Sequence, residues 1–178
     1  TEALRYAPRE RGGTFGAVGA LIYGRNQNGQ FYLTPDADGD LWKADWPVVM
    51  VDWHACFAYT QWLSAKTGLP WRLPYELERE KASRGADGRE MPWGNSTAHA
   101  WSNIDHQNNQ RAMLCSVYDF PKDESPYGVM GCAGNIFDWC MDSYSIDGPE
   151  LFENRFLPMY EESSLRTIMG ASWRNRQM

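Results

Sequence analysis

A chain of 178 residues with 43% hydrophobic content is long enough to close one core of its own, and a single domain over 1–178 is expected. With a formal net charge of -6 and 17 Lys and Arg scattered among 23 acids, no basic face is available for phosphate, so nucleic acid is excluded as a partner. No apolar run approaches the roughly 20 residues a bilayer span requires, so no membrane partner is expected.

Nine Trp, nine Tyr and seven Phe in a chain of mean hydropathy -0.59 place the apolar content in large rings. Such a composition suits a loop-rich fold with aromatic anchors better than a helix bundle.

Residues 1–45 read as a hairpin and entry region, and 46–178 as the part that carries motifs. The first strands are expected at Ala20-Leu21-Ile22-Tyr23 and Phe31-Tyr32-Leu33, because the Asn28-Gly29 pair between them supplies the positive φ of a tight turn. Asp36, Asp38 and Asp40 alternate as the start of a calcium-binding loop would. Leu41 and Pro47 then stand where that loop needs Gly and Glu, so an acidic surface turn is the reading.

Asp52 is a good N-cap, and Ala55, Cys56, Tyr59, Trp62 and Leu63 recur behind it at helical spacing up to a closing Gly68. This ringed face is expected on the core. A second helix follows, with Pro74 in its first turn and Gly85 at its exit. Charged residues dominate it, including Glu76, Arg79, Glu80 and Arg84 at i,i+3 and i,i+4 spacing, and only Leu73, Leu77 and Ala82 offer themselves for burial. It therefore reads as an outer helix, held by its ends more than by its face.

From Pro92 onward turns prevail, at Pro92-Trp93-Gly94-Asn95, Ser125-Pro126-Tyr127-Gly128 and Asp147-Gly148-Pro149. Ordered loops of this kind need internal pins: buried rings, polar side chains bonded to backbone, or bound ions. Cys56, Cys115, Cys132 and Cys140 lack any CxxC spacing and read as buried free thiols rather than a disulfide framework or zinc site.

Four phrases in fixed order, Pro47 to Trp53, Arg72-Leu73-Pro74-Tyr75-Glu76-Leu77-Glu78, Gly134-Asn135-Ile136-Phe137-Asp138-Trp139 and Gly170-Ala171-Ser172-Trp173, resemble the formylglycine-generating enzyme, or sulfatase-modifying factor, domain family. The resemblance covers about residues 46 to 174. It implies an α+β, C-type-lectin-like fold with a small twisted antiparallel sheet, two main helices and long ordered loops. The chain departs from the family phrase at Tyr75, Leu77 and Arg79, and the loss of an aromatic at Arg79 implies a loosely docked second helix.

Family oxidases hold copper(I) between two cysteines, and soft thiolates suit that ion. The resemblance places the first at Asn175 and the second five positions later, past Met178, so neither copper nor formylglycine formation is expected. Related sulfoxide synthases add an iron site built from histidines, for which His54, His99 and His106 are too few.

Two structural calcium sites are implied, one at the Asn103 side chain and Ile104 carbonyl, the other at the Gly134 and Ile136 carbonyls with the Asp138 carboxylate. Gly131 stands where the second needs a side-chain oxygen.

What remains is a non-catalytic ligand- or protein-binding module, similar to the kinase-associated bacterial sensors and to the variable display proteins of diversity-generating retroelements. Tyr75, Trp173, Arg174, Asn175 and Arg176 would form its binding surface. The alternative is a truncated copper- and oxygen-dependent oxidase acting on sulfatase cysteine. A protein or small-molecule ligand and the rest of a longer parent protein are the expected partners, with the missing sheet strands supplied from there. Unpaired cysteines and the kinase-associated character suggest a cytoplasmic location.

Overall fold

The longest element begins where the N-cap was expected. Asp52 Oδ1 accepts the Ala55 N–H at 2.7 Å, helix α1 runs Trp53–Thr67, and Gly68, at φ 72°, donates its N–H to Ser64 O at 2.8 Å. The computed structural model describes residues 2–9, 22–35, 39–104, 113–149, 151–153, 155–156 and 165–173. The expected strand residues Ala20 and Leu21, the acids Asp36 and Asp38, His106, and Arg174 to Arg176 lie outside these.

The chain forms two units, Thr1–Trp71 and Arg72–Met178. In the first, β1 (Gly24–Arg25) pairs antiparallel with β2 (Phe31–Tyr32), Arg25 opposite Phe31. The turn is wider than a tight hairpin turn, with residues 26–30 between the paired strands. Asn26 N–H reaches Gln30 O at 3.0 Å and Gly29 N–H reaches Asn26 O at 2.9 Å, so Gly29 alone supplies the positive φ, at 79°. Pro35 and Leu41 bridge across the acidic turn.

The expected core face of α1 is buried only in part, at Ala55, with Cys56 and Leu63 half-buried. Trp53 and Ala55 are buried, while Tyr59 is 58% and Trp62 53% exposed. These rings find partners on the helix surface instead. Tyr59 lies 5.6 Å from Trp62, and the Lys66 ammonium stands 4.7 Å over the Trp62 ring. Trp53 stacks on Phe57 at 5.1 Å, so i,i+3 and i,i+4 spacing served ring-to-ring contact as well as burial.

In the second unit, α2 (Glu76–Arg84) lies against β3 (Phe137–Ser143) and β6 (Arg166–Gly170), which pair antiparallel with Phe137 opposite Gly170 and Trp139 opposite Ile168. A register shift between Trp139 and Ser143 lets successive residues Cys140 and Met141 both turn inward. A short ladder, β4 (Leu151–Phe152) with β5 (Arg155–Phe156), completes the strands among the described residues. Antiparallel pairing is thus spread over three two-stranded ladders, an α+β architecture in which loops carry much of the chain. Among the described residues no helix is long and apolar enough to cross a membrane.

Helix α2 begins at Glu76, with Tyr75 as N-cap and Pro74 outside the first turn where it was expected. Its start is satisfied from two directions. Glu78 Oε2 accepts the Tyr75 N–H at 2.9 Å, and Asp142 of β3 accepts the Glu76 N–H at 2.5 Å. Arg72 forks onto Glu78 with two bonds of 2.7 Å, closing the Arg-Leu-Pro corner, and Pro74 O accepts the Met141 N–H at 2.8 Å.

Candidate functional site

The loops of the second unit meet at Asn135. Its φ of 73° is a conformation that Asn tolerates better than most residues, and it turns the side chain inward. Oδ1 accepts from Asn103 Nδ2 at 2.9 Å and from Cys115 N–H at 3.2 Å, while Nδ2 donates to Cys115 O at 3.0 Å. The backbone adds a bond from Asn135 N–H to Asn103 O at 2.8 Å and another from Trp173 N–H to Asn135 O at 3.2 Å. One residue therefore ties three segments distant in sequence to its own, and Gly134 beside it leaves room for the approach. A Cβ there would lie 2.8 Å from Asn103 N.

A second pin is Asp123, 1% exposed, whose two carboxylate oxygens accept the Ala133 N–H at 3.0 and 3.1 Å. Burial pushes its carboxyl pKa up, against the pull of the Ala133, Cys132 and Gly134 N–H groups and the Arg79 charge. Between the two arms of this clamp, Ser125 Oγ accepts from Tyr127 and Val129 N–H, and Gly128 turns at φ 79°. Of the three kinds of pin expected, polar side chains bonded to backbone predominate here.

The third pin reverses the expectation of a loose second helix. Arg79 is buried at 7% exposure, and with Ser83 it forms the buried face of α2 in place of Leu77 and Ala82, which are half-buried. Its Nε and Nη2 donate to Asp138 Oδ2 at 2.9 and 2.6 Å, Nη2 also to Cys132 O at 3.2 Å, and Nη1 to Ser83 Oγ. Burial works against the guanidinium charge, but Asp138 and the other nearby groups outweigh it and hold the pKa above its ordinary value. A fork of donors does what a ring was expected to do, because β3 offers it a carboxylate.

The calcium expectations divide. Asn103 commits Nδ2 to Met113 O at 2.9 Å and to Asn135, and the residues after Ile104 lie outside the described part, so a full donor set is not assembled there among the described residues. At the second site the residues do not fit the ion. Asp138 already neutralises a cation, Gly134 O accepts the Ile136 N–H at 3.0 Å, and Gly131 brings no side-chain oxygen. A further positive ion would stand beside the guanidinium. Among the described residues no cluster of three or more His, Cys, Asp and Glu is placed to hold a metal.

Of the expected binding residues, Tyr75 is half-buried under the Arg72 guanidinium, 5.0 Å from its ring centre, and Trp173 is half-buried and tied to Asn135. Different clusters hold the two. Asn135, Asp123 and Asp142 are not among the site residues expected from the sequence, although Asn135 stands in one of the four family phrases. No disulfide joins Cys56, Cys115, Cys132 or Cys140, and Cys132 and Cys140 are buried. Burial, with help from Asp119, pushes Cys115 up to about 11, and burial, with Asp142, pushes Cys140 up to about 12. Neither is a ready nucleophile at neutral pH.

Helix, ladder and pinned loops define an α+β domain in which side-chain bonds to backbone replace regular structure. Residues 27–178 match the model of the sulfatase-modifying factor enzyme 1-like domain, and the chain belongs to that family, with its C-type-lectin-like fold. It is 30% identical over 134 residues to the formylglycine-generating enzyme of Thermomonospora curvata, covering 67% of this chain and 41% of that protein. It is 28% identical over 140 residues to the inactive C-alpha-formylglycine-generating enzyme 2 of Bos taurus, covering 74% and 40%. Over 106 residues it is 32% identical to the serine/threonine-protein kinase pkn1 of Chlamydia pneumoniae, covering 59% and 15%. Its fold is similar to that of PvdO from Pseudomonas aeruginosa, with a TM-score of 0.64 at 24% identity over 86% of this chain and 59% of that one. The chain spans less than two thirds of each of these proteins.

Proposed function

We propose that this domain is a non-catalytic binding module, a sensor or display element that presents Tyr75, Trp173, Arg174, Asn175 and Arg176 to a protein or small-molecule ligand. The observation that carries the reading is Asn175, at the position where the family resemblance requires the first copper-binding cysteine. A neutral amide cannot become the soft thiolate that copper(I) needs. The raised pKa of Cys115 and Cys140 supports the same reading, since neither offers a ready thiolate as substitute. So does the similarity to a kinase and to a protein named inactive.

Within this reading Asn103 and Ile104 are the residues proposed to hold a bracing calcium ion through hard oxygen donors. The rest of a longer parent protein and a cytoplasmic setting belong to the same proposal. The rival, an oxidase acting on sulfatase cysteine, draws on the similarity to a formylglycine-generating enzyme.

The test is incubation of the parent protein with copper(I), oxygen and a cysteine-containing sulfatase peptide. The peptide thiol is expected to survive, and copper(I) to bind no more tightly than to a competing chelator. Conversion of that thiol to an aldehyde, or a one-to-one complex that resists the chelator, would overturn the proposal.

A further inference from the structure

The misfit at the second calcium site points to what takes the ion's place. We propose that Arg79 is the resident cation of the Gly131–Asp138 loop, so that the loop is ordered by docking of α2 and not by a metal. The inference stands apart from the binding reading, since it concerns how the scaffold is braced.

The geometry converges on one point. A Cβ at Gly170 would lie 3.4 Å from both the Cys132 and Ile136 carbonyl oxygens and 3.7 Å from Arg79 Nη2. The guanidinium thus sits with Ile136 O, one of the expected calcium donors, around the same small space, and it bonds Asp138 directly at 2.6 and 2.9 Å. Two of the loop's carbonyls and a neighbouring carboxylate are answered by N–H donors: Cys132 O by Arg79, Gly134 O by Ile136, and Asp123 by Ala133.

The substitution also explains two departures together. Gly131 can dispense with a ligating side chain, and position 79 can dispense with a ring, if the charge arrives from the helix. A guanidinium stays protonated at any physiological pH and spreads its donors in a plane, so one side chain can serve a carboxylate, a carbonyl and a hydroxyl at once.

The experiment is amide hydrogen exchange on the whole chain, read in peptides covering 131–138, with excess calcium and with EGTA. The wild-type protection is expected to be the same in both. Arg79→Met is expected to speed exchange there about tenfold or more while leaving the α1 amides unchanged, and Arg79→Lys, which keeps the charge but loses the fork, to fall between. Should Arg79→Met fail to fold, Arg79→Lys and the wild-type comparison carry the test. Protection of 131–138 that rises with calcium in the wild type, or wild-type exchange in the Arg79 variants, would overturn the proposal.

Discussion

At position 134 a single methyl group decides whether two loops can meet. A Cβ there would stand 2.8 to 3.0 Å from the Asn103 N, C and O atoms, all of them backbone. Gly134→Ala is predicted to cost about 1–3 kcal/mol as overpacking. At Gly88, where φ is 79° and the space is open, alanine meets only the backbone preference, worth about 1 kcal/mol. Urea unfolding in which Gly134→Ala lost less than Gly88→Ala would show the close approach to be unimportant, since Gly134 carries no positive φ. Thr167 makes the opposite case, since its buried Oγ1 has no hydrogen-bond partner among the described residues. The isosteric Thr167→Val should stabilise by about 1 kcal/mol, and a lower urea midpoint would refute this. Both positions are plain in the sequence as letters, but their meaning depends on atoms from distant segments.

At the scale of elements, α2 shows how charge pattern alone misleads. The pair Glu80 and Arg84 forms on the surface as i,i+4 spacing predicts, whereas Arg79 turns away from it to Asp138, 59 residues on. Arg84→Ala, which also loses the bond from its Nε to Arg89 O, is predicted to cost about 1 kcal/mol. Arg79→Met should cost about 3 kcal/mol, reduced from the fully buried case because Asp138 stays partly open to water. Thermal melts that ranked the two equally would contradict the buried role. Helix α1 was the more legible element, because its caps are local: Asp52 meets Ala55, and Gly68 meets Ser64. Its burial was not local, and there the periodicity named the wrong rings.

For the whole molecule, the titrating groups set a direction with pH. Cys115 and Cys140, ordinarily near 9.0, are held at about 11 and about 12. A raised thiol keeps its proton in the fold, so its contribution is complete below the unfolded value and is lost as pH rises through the folded one. Between about pH 9 and 11 stability should therefore fall by roughly 1.4 kcal/mol per pH unit for each of these thiols. Cys140→Ala should remove one such increment from the slope, and an unchanged slope in pH-dependent urea titrations would exclude the thiol as its source. In acid the signs oppose. Asp123, raised by burial, loses its contribution as pH rises through its folded pKa, while Glu78, lowered by its bond to Arg72, loses its own as pH falls.

The family, the α+β class, the caps of α1 and the turn positions were legible in the sequence, because each rests on residues a few places apart whose backbone preferences act locally. The tertiary structure alone decided that Asn135 would gather three distant segments, that Asp142 would cap a helix beginning 66 residues before it, and that Arg79 would be buried as a charge. A buried polar group is stable only when its partners arrive from elsewhere in the fold, and no window of sequence contains them.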